Sequence, residues 1–428
     1  MDYVSNEHPI GGFFGGGYES AFQAIRLDSD KNQATGSDLG IITNLQVSRT
    51  GGDFQKNDLE KSKILAERFL LQEIACSILF ERTTYEKDGD EYSKYVWRVN
   101  NCLKLRVDAS KPVTVRYNEF RKKAHYDNLQ RCARVWTCPF CALKISEERR
   151  KEIKTAMDNA RAKGWFVYLF TFTNRHHCGD DLEVLVEGQK GALVDFWQKS
   201  KVKKMMKDLG YVGRITATEV TWSPVNGWHP HYHMLVFFDH EINTQGLQSF
   251  LSYDWQKSCG RVGLKLPSLE RGVKVDKGDK ADEYVAKWGL EHEMTKGHIK
   301  KGREDGLTPF DLLRQSVEHP KYRALFRQYA VCFQEINQLR WSKGLKALLG
   351  VANRTDEELA QETEKESIQI DEVATQIWRL VVRYKIRFEY LQAVELDYLE
   401  GGIFNRVNNL VLGYAEIEQK RLNALDSG

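Results

Sequence analysis

The sequence predicts an α+β fold in which helices flank a central antiparallel sheet, followed by a helical region towards the C-terminus. Short runs of β-branched and aromatic residues, each of strand length, recur between residues 165 and 238. Charged segments with helical spacing of apolar residues alternate with them, in the order strand, helix, strand, turn, strand, helix. Because a short turn joins two of the strands directly, we expect these two to pair antiparallel, with the helices packed on the sheet.

Each predicted element rests on a short stretch of sequence. The amphipathic helix near the N-terminus is LEKSKILAERFLLQEIACSILFER, and the charged helix that ends near Gly164 is ISEERRKEIKTAMDNARAKGW. The three strands are WFVYLFTFT, GRITATEVTWS and WHPHYHMLVFF, and the turn-rich SPVNG joins the last two. The remaining helices are GALVDFWQKSKVKKMMKDLG, which has a basic face, and ADEYVAKWGLEHE.

These elements predict a chain organised in consecutive segments. They are a flexible or irregular segment over 1–60, a helix and strand region over 61–120, a cysteine-rich segment with its helix over 121–164, the sheet-containing domain over 165–350 and a charged helical region over 351–428.

The 428-residue chain has 63 Lys and Arg against 60 Asp and Glu, a formal net charge of +3. Total charge therefore does not identify a nucleic-acid binder, although basic clusters lie in the middle and acidic stretches near the C-terminus. The sequence has no run of about 18 apolar residues and no basic-then-apolar N-terminal pattern, which predicts a cytoplasmic protein without a membrane segment. Eight cysteines, three of them crowded between Cys132 and Cys141, favour a metal site in a reducing compartment over disulfides.

The strand WHPHYHMLVFF carries His229, His231 and His233 at alternate positions, so their side chains project from one face. Neutral imidazole is a common ligand of divalent transition metals, and converging imidazoles form half of a coordination sphere. Glu219 lies on the preceding strand and completes the site if the two strands pair across SPVNG. The alternative is that the histidines are only surface residues of a half-buried strand.

The helix ADEYVAKWGLEHE places Tyr284, Lys287 and Glu291 on one face. A tyrosine hydroxyl, with its usual pKa near ~10, becomes a nucleophile where a metal polarises the scissile phosphate and a cation favours the phenolate. Lys287, one turn after Tyr284, suits that cationic role. Packing of Tyr284 and Trp288 against the sheet is the alternative explanation.

A basic segment, KGHIKKGRE, follows this helix. Its cations are suited to follow a sugar-phosphate backbone, and an ordinary solvated loop is the alternative. The residues are Lys296, Lys300, Lys301 and Arg303.

The segment CARVWTCPFC contains Cys132, Cys138 and Cys141, and the CPFC pair has the two-residue gap that favours thiolate chelation of zinc. A structural zinc site requires four ligands, and the candidates for the fourth are His125, Cys102 and Cys178. A redox pair and unmetallated thiols are the alternatives, although no thioredoxin-like βαβ pattern surrounds the motif. Basic residues flank the cluster, so a role facing DNA is also expected.

Four blocks of sequence resemble, in the same order, the replication (Rep) proteins of rolling-circle plasmids, which belong to the HUH endonuclease superfamily. The blocks are VWTCPFCALKISEERR, FTFTNRHH, GWHPHYHMLVFF and EYVAKWGLEHEMTKGHIKKG with LTPFDLL after it, and the similarity covers roughly residues 125–355. The resemblance implies a ferredoxin-like or RRM-like nuclease domain over 165–350. It also implies that His231 and His233 bind a catalytic Mg²⁺ or Mn²⁺, with Glu219 or His229 as a third ligand.

The resemblance further implies that Tyr284 attacks the scissile phosphate at a plasmid origin, with Lys287 as the lysine of a YxxK motif. The products are a 5′-phosphotyrosyl bond and a free 3′-hydroxyl that primes synthesis. Origin DNA, single-stranded or extruded as a hairpin, is the expected substrate, and a host helicase and polymerase are the expected partners. Because the motif has one tyrosine, a carboxylate is expected to activate water for the terminating cleavage, and the candidates are Glu291, Glu283 and Asp282.

Three other functions remain open at this level. A mobilisation relaxase or a single-strand transposase of the same superfamily would use the same chemistry, although the CPFC block favours a replication protein. A non-enzymatic zinc-dependent DNA-binding protein would bind an origin without forming a covalent adduct. A metal-dependent phosphoesterase that uses water would not need Tyr284.

Overall fold

A computed structural model of the protein describes residues 52–87, 90–287, 306–361, 366–402 and 404–426. Their helices and antiparallel sheets confirm the predicted α+β class. Among the described helices, none is both long enough and apolar enough to cross a lipid bilayer.

The described strands are β1 (Arg82–Lys87), β2 (Asp90–Tyr95), β3 (Val113–Asn118), β4 (Lys123–Asp127), β5 (Phe166–Thr173), β6 (Tyr211–Ser223), β7 (Gly227–Phe238), β8 (Val273–Asp276), β9 (Leu339–Trp341) and β10 (Ser367–Val373). The described α-helices are α1 (Gly52–Ile78), α2 (Pro139–Ala162), α3 (Leu182–Gln198), α4 (Ser200–Asp208), α5 (Thr244–Arg261), α6 (Gly278–Lys287), α7 (Pro309–Gln315), α8 (Pro320–Phe333), α9 (Leu345–Leu348), α10 (Asp356–Gln361), α11 (Thr375–Arg383), α12 (Arg387–Leu399) and α13 (Asn405–Asp426).

A five-stranded antiparallel sheet of order β8-β5-β7-β6-β9 carries the predicted histidines. Within it, β6 and β7 form a hairpin across SPVNG, as predicted, with Ser223 opposite Gly227 at the turn. The turn is closed by a hydrogen bond from the N–H of Asn226 to Oγ of Ser223 (3.0 Å), and Gly227 has a φ of 71°. Glycine suits that position because left-handed backbone costs other residues about 1–2 kcal/mol.

The two faces of this sheet are covered differently. On one face, Phe172 of β5 packs edge-on against Phe196 of α3 and Trp255 of α5, and all three are fully buried. On the opposite face, Leu169 of β5 joins a core cluster with α2 and with Ala281 of α6. Further along that second face the side chains become polar and partly exposed, so that part of the sheet is accessible to a ligand.

The stretch from Gly191 to Gly210, predicted as one helix, is divided between α3 and α4. The chain turns at Lys199, whose backbone is extended (φ −60°, ψ 126°). Nζ of Lys199 donates a hydrogen bond to the carbonyl oxygen of Asp254 on α5 (2.7 Å). The prediction of a continuous helix is wrong because Lys199 has an extended backbone, a conformation in which its side chain contacts a neighbouring helix.

The region 351–428, predicted as helical, also contains strand β10. Ile368 and Ile370 alternate there with polar residues, which is the period of a strand rather than of a helix. The strand pairs with β3 in a sheet of order β10-β3-β4. The helical prediction is therefore wrong for Ser367–Val373, because a partner strand distant in sequence decides its conformation. At the other end of the chain, α1 begins at Gly52, inside the segment predicted as irregular.

The described residues form two compact units. One consists of residues 52–70, 112–125 and 368–426, and the β10-β3-β4 sheet lies largely within it. The other consists of the described residues of 71–111 and 126–367 and contains the five-stranded sheet. The predicted segment boundaries at residues 60, 120, 164 and 350 stay predictions.

Candidate active site

The register of the sheet brings the predicted ligands to one face. His229, His231 and His233 alternate along β7, and Glu219 of β6 lies directly opposite His231. On the other side of β7, Thr171 of β5 lies directly opposite His233. Side chains of directly opposed residues project from the same face of a sheet, so these groups gather there.

Glu219, His231 and His233 form a compact group of metal-ligand atoms. Oε2 of Glu219 lies 3.4 Å from Nε2 of His231 and 3.6 Å from Nε2 of His233. One ligand atom from each residue lies within 4.8 Å of the other two. The three side chains are 32%, 12% and 19% exposed, so the group remains accessible. Two imidazole nitrogens and a carboxylate oxygen that converge in this way fit a divalent cation with coordination positions left for substrate.

The second ring nitrogen, Nδ1, of both His231 and His233 lies within hydrogen-bond distance of another group. Nδ1 of His233 lies 3.0 Å from Oγ1 of Thr171, and Nδ1 of His231 lies 3.2 Å from the carbonyl oxygen of His229. Such contacts orient the rings and leave Nε2 free to ligate a metal. Sequence reasoning missed Thr171, since FTFT marks a strand but only the register between β5 and β7 selects the threonine beside His233.

Tyr284 approaches the same group from helix α6. Its hydroxyl donates a hydrogen bond to Oε1 of Glu219 (2.7 Å), and its ring centre lies 4.8 Å from that of His233. Ala281 and Val285 on either side of it are buried and anchor the helix on the sheet. Tyr284 therefore packs partly against the core and also directs its hydroxyl to one of the predicted ligands.

The ionisable groups of this site strongly affect one another. Burial by itself raises the pKa of Glu219, but His233, His231 and the Tyr284 hydroxyl outweigh it and lower that pKa to about 2. Burial lowers the pKa of His231, but the hydrogen bond and charge of Glu219 outweigh it and raise that pKa. At His233 burial dominates, and its pKa is lowered. Glu219 is therefore ionised at neutral pH, and His231 holds a proton more readily than His233.

His229 lies beside this group without belonging to it. Its ring centre is 4.9 Å from that of His231, and it stacks on His176 with ring centres 4.6 Å apart and planes 13° from parallel. Burial, followed by the nearby imidazoles, lowers the pKa of His229 to about 3. Of the two residues considered as third ligand, Glu219 thus faces both His231 and His233, whereas His229 faces His176.

The other residues predicted to act in the reaction are described only in part. Lys287 is the last residue of α6, one turn after Tyr284. Glu283 accepts a hydrogen bond from Nζ of Lys280 on the same helix. Asp282 accepts one from Arg161 of α2 (2.6 Å). The residues that lie outside the described parts of the chain are Glu291, Lys296, Lys300, Lys301 and Arg303.

Four buried cysteines form a second group of metal-ligand atoms. Sulfurs of Cys102, Cys132, Cys138 and Cys141 lie within 4.8 Å of one another. The Sγ atoms are 3.6 Å apart in the pairs Cys102–Cys141, Cys132–Cys141 and Cys138–Cys102. Four sulfurs placed tetrahedrally at about 2.3 Å from a zinc ion are about 3.8 Å apart. The arrangement therefore fits a structural zinc site.

Cys102, rather than His125 or Cys178, is the fourth member of this group. No spacing rule identifies it, because β3 and β4 separate it in sequence from the other three cysteines. Gln72 of α1 supports the group, with Nε2 3.1 Å from the carbonyl oxygen of Cys102 and 3.7 Å from Sγ of Cys138. Hydrogen bonds from the other three thiols lower the pKa of Cys102 well below its usual value, whereas burial raises the pKa of Cys132 and of Cys138 well above it.

The middle of the chain is similar in sequence to a known protein family. The model of the family described as "Replication protein" matches residues 125–257, which include β5, β6 and β7. The matched segment contains Glu219, His231 and His233 and ends before Tyr284. The resemblance of this part of the chain to replication proteins is thereby confirmed.

Two bacterial relatives share part of the sequence. The chain is 36% identical over 134 residues to "Protein rep" of Streptomyces lividans, an alignment that covers 25% of this chain and 29% of that protein. It is 32% identical over 132 residues to "Neomycin resistance protein" of Streptomyces cyanogenus, over 25% of this chain and 30% of that protein. The chain thus matches less than a third of the length of either relative. No solved structure matches it.

Proposed function

We propose that this protein is a rolling-circle replication initiator that nicks and joins single-stranded DNA at a plasmid origin, with Tyr284 as the nucleophile. One observation carries the proposal. The hydroxyl of Tyr284 donates to one oxygen of Glu219, and the other oxygen of that carboxylate faces Nε2 of His231 and of His233. A nucleophile and a set of ligands for a divalent cation therefore meet at one carboxylate. The family match supports the use of this chemistry in replication.

The architecture agrees with an HUH endonuclease. In the sheet order β8-β5-β7-β6-β9, the histidine strand lies between the strand of Thr171 and the strand of Glu219. Thr171 is opposite His233 on one side, and Glu219 is opposite His231 on the other. Helix α6 adds Tyr284 from above the same face. Support of this kind is what a reactive site needs, because a small displacement of a catalytic group lowers the rate strongly.

A Mg²⁺ or Mn²⁺ ion held by Glu219, His231 and His233 would polarise the scissile phosphate and stabilise its developing charge. The hydrogen bond to Glu219 holds the oxygen of Tyr284 at this position before DNA arrives. In the proposed step the phenolic oxygen bonds to phosphorus, and the bond from phosphorus to the 3′ oxygen breaks. The phenol loses its proton and the 3′ oxygen gains one, which leaves a 5′-phosphotyrosine and a free 3′-hydroxyl.

The supporting residues divide the remaining tasks. Glu219 orients the phenol, because its Oε1 accepts the hydrogen bond from the Tyr284 hydroxyl. Lys287, one turn along α6, favours the phenolate or holds a phosphate oxygen. For the terminating cleavage we propose Glu291 as the carboxylate that activates water. Asp282 and Glu283 suit that role less well because basic side chains bind them.

The four-cysteine group is proposed to bind a structural zinc ion in a reducing cytoplasm. Its sulfur separations of 3.6 Å are close to those of a tetrahedral zinc site and well beyond the ~2.05 Å of a disulfide. The two-residue gap of CPFC and the buried position of all four thiols agree with this role.

Origin DNA is the proposed substrate, and a host helicase and polymerase are the proposed partners, because a primed 3′ end requires strand separation and extension. Lys296, Lys300, Lys301 and Arg303 are proposed to bind the DNA backbone. A relaxase or transposase would use the same residues, and the family match favours replication over both.

A covalent adduct tests the proposal directly. Purified protein is incubated with Mg²⁺ or Mn²⁺ and single-stranded oligonucleotides that tile the origin region of the plasmid that encodes it. Denaturing electrophoresis should reveal a protein–DNA adduct on one strand. Tyr284→Phe should abolish the adduct while retaining DNA binding, whereas the matched control Tyr253→Phe, at an exposed tyrosine of α5, should retain both.

The other outcomes point to the alternatives. Cleavage without an adduct would identify a nuclease that uses water. An adduct that persists in Tyr284→Phe would remove Tyr284 from the role of nucleophile. Binding to one tile with neither cleavage nor adduct would favour the non-enzymatic DNA-binding protein.

A further inference from the structure

We propose that the stacked imidazoles of His176 and His229 form a platform on which a nucleobase next to the scissile phosphate stacks. The inference rests on the proposed function in one respect, since the substrate is single-stranded DNA. It assigns the two histidines to base binding, a role distinct from metal ligation.

The geometry of the pair favours stacking over chelation. The two rings are 4.6 Å apart at their centres and within 13° of parallel. The lone pairs of imidazole lie in the plane of the ring, so two parallel rings direct them side by side rather than towards a common point. The converging ligand atoms are instead those of Glu219, His231 and His233.

The position of the pair places it next to the proposed reaction. The ring centre of His229 is 4.9 Å from that of His231, a member of the proposed metal group. His176 is partly exposed, and its neighbours Arg175 and His177 are exposed. A nucleotide whose phosphate lies at the metal group therefore has an aromatic surface within reach of its base.

The loop that carries His176 is held against β7 by specific contacts. Nε2 of the buried Gln189 donates to Oδ1 of Asn174 (2.8 Å) and to the carbonyl oxygen of Pro230 (3.0 Å), which ties the loop to the residue after His229. On the other side, a Cβ at Gly227 would lie only 3.0 Å from the carbonyl oxygen of His177. Gln189 thus anchors the loop on β7, and the backbone of the loop approaches Gly227 closely.

The chemistry of single-stranded DNA recognition suits this arrangement. Proteins that bind single strands stack unpaired bases on aromatic side chains, including histidine. Because every base has a flat π-face, such a platform tolerates any sequence. Removal of one stacking side chain typically weakens binding by about five-fold to a hundred-fold.

The test separates base stacking from binding of the phosphate backbone. All variants carry Tyr284→Phe, so no covalent adduct forms during the measurement. The probes are a fluorescein-labelled oligothymidylate of about 16 nucleotides and an abasic chain with the same number of phosphates. Fluorescence anisotropy gives the Kd for each, and their ratio measures the contribution of the bases.

We expect the parent protein to prefer the base-containing probe. His176→Ala should reduce that preference at least about five-fold, whereas His176→Phe, which keeps a flat ring, should retain most of it. His229→Phe should likewise retain it, with Mn²⁺ affinity unchanged in calorimetry. His240→Ala, at an exposed histidine beyond the other end of β7, is the matched control and should change nothing. Circular dichroism checks that each variant is folded.

Several results would overturn the inference. They are equal binding of both probes by the parent protein, an equal loss in His176→Phe and His176→Ala, and a loss of Mn²⁺ affinity in His229→Phe, which would make His229 a ligand. Because no reading depends on nicking, a base preference lost in His176→Ala would stand even if the wild-type protein formed no adduct. In that case the platform would remain and the proposed reaction would fall.

Discussion

At the residue scale, a single threonine holds one of the histidines that face Glu219. Oγ1 of Thr171 lies 3.0 Å from Nδ1 of His233 and thereby directs Nε2 towards the carboxylate. We predict that Thr171→Val, which replaces the hydroxyl with a methyl group, lowers the affinity for Mn²⁺ about 10- to 100-fold, since this is the usual cost of losing a group that orients a ligating histidine. Isothermal titration calorimetry with Mn²⁺ measures the change.

Thr218 of β6, the strand on the other side of β7 from Thr171, is the matched control. It is 3% exposed, and its Oγ1 has no hydrogen-bond partner within the described parts of the chain. Thr218→Val should leave Mn²⁺ affinity unchanged and maintain or raise the free energy of unfolding, because no hydrogen bond is lost. If both variants bound Mn²⁺ equally well, Thr171 would have no orienting role.

The ionisation of Glu219 and His231 makes the stability of the fold depend on pH. The pKa of Glu219 is lowered from 4.5 to about 2, so its contribution to stability is present above pH 4.5 and is lost as the pH falls towards 2. The pKa of His231 is raised above 6.5, so its contribution is complete below pH 6.5 and is lost as the pH rises through the raised value. In the metal-free protein these two contributions, of which that of Glu219 depends on His233 as well as on His231, are therefore both complete between pH 4.5 and 6.5.

A metal competes with the proton of His231. We predict that Mn²⁺ affinity falls as the pH drops through the raised pKa of His231, by roughly tenfold per pH unit, because one proton must leave for each ion bound. Calorimetry in buffers of different ionisation enthalpy measures both the affinity and the proton release. An affinity that does not change between neutral and mildly acidic pH would argue against ligation by His231.

At the scale of secondary-structure elements, the four cysteines join segments that are distant in sequence. Cys102 lies between β2 and β3, and the others lie between β4 and the first turn of α2. Helix α2 begins at Pro139, inside CPFC, and its residue Ile153 packs in the core beneath the five-stranded sheet. A zinc ion at this point would fix the start of a helix that supports the proposed active site.

We predict that Cys102→Ser removes the bound zinc and lowers the midpoint of thermal unfolding by roughly 5–10 °C, the effect of losing about 2–3 kcal/mol in a unit of this size. Elemental analysis of the purified protein and scanning calorimetry measure the two effects. Cys178→Ser is the matched control, because Cys178 is exposed and outside the group. One zinc per chain in Cys102→Ser, or loss of zinc in Cys178→Ser, would contradict the proposed ligand set.

At the scale of the whole molecule, a net charge of +3 is too small to attract DNA by itself. Binding must then depend on where the cations lie. We predict that neutralising Lys296, Lys300 and Lys301 to Gln reduces the slope of log affinity against log salt by about 2, since each contact with single-stranded DNA contributes about 0.7. Anisotropy titrations of a labelled single strand at several salt concentrations measure the slope.

An equal change of charge elsewhere separates a local effect from a global one. Lys203, Lys204 and Lys207 of α4 are all exposed, and changing them to Gln also removes three positive charges. This control should leave the slope nearly unchanged. If the two triple variants lowered the slope equally, net charge rather than a DNA-binding segment would govern the affinity.

Sequence patterns predicted those parts of the site that lie within one element or one hairpin. The shared face of His231 and His233 follows from the period of a strand, and the position of Glu219 opposite them follows from the short SPVNG turn. The position of Tyr284 on a helix after the sheet was likewise readable from periodicity and is present. The helical period gave a wrong prediction at Lys199, where the chain turns and the lysine contacts another helix.

The sequence by itself therefore determined the α+β class, the histidine strand, the hairpin that carries Glu219 and the resemblance of residues 125–257 to replication proteins. Only the tertiary structure decided that Tyr284 bonds to Glu219, that Cys102 completes the cysteine group and that His176 stacks on His229. The physical reason is that backbone geometry sets the period of a strand or helix locally. Contacts between elements depend instead on how the whole chain packs, and spacing along the sequence does not record that.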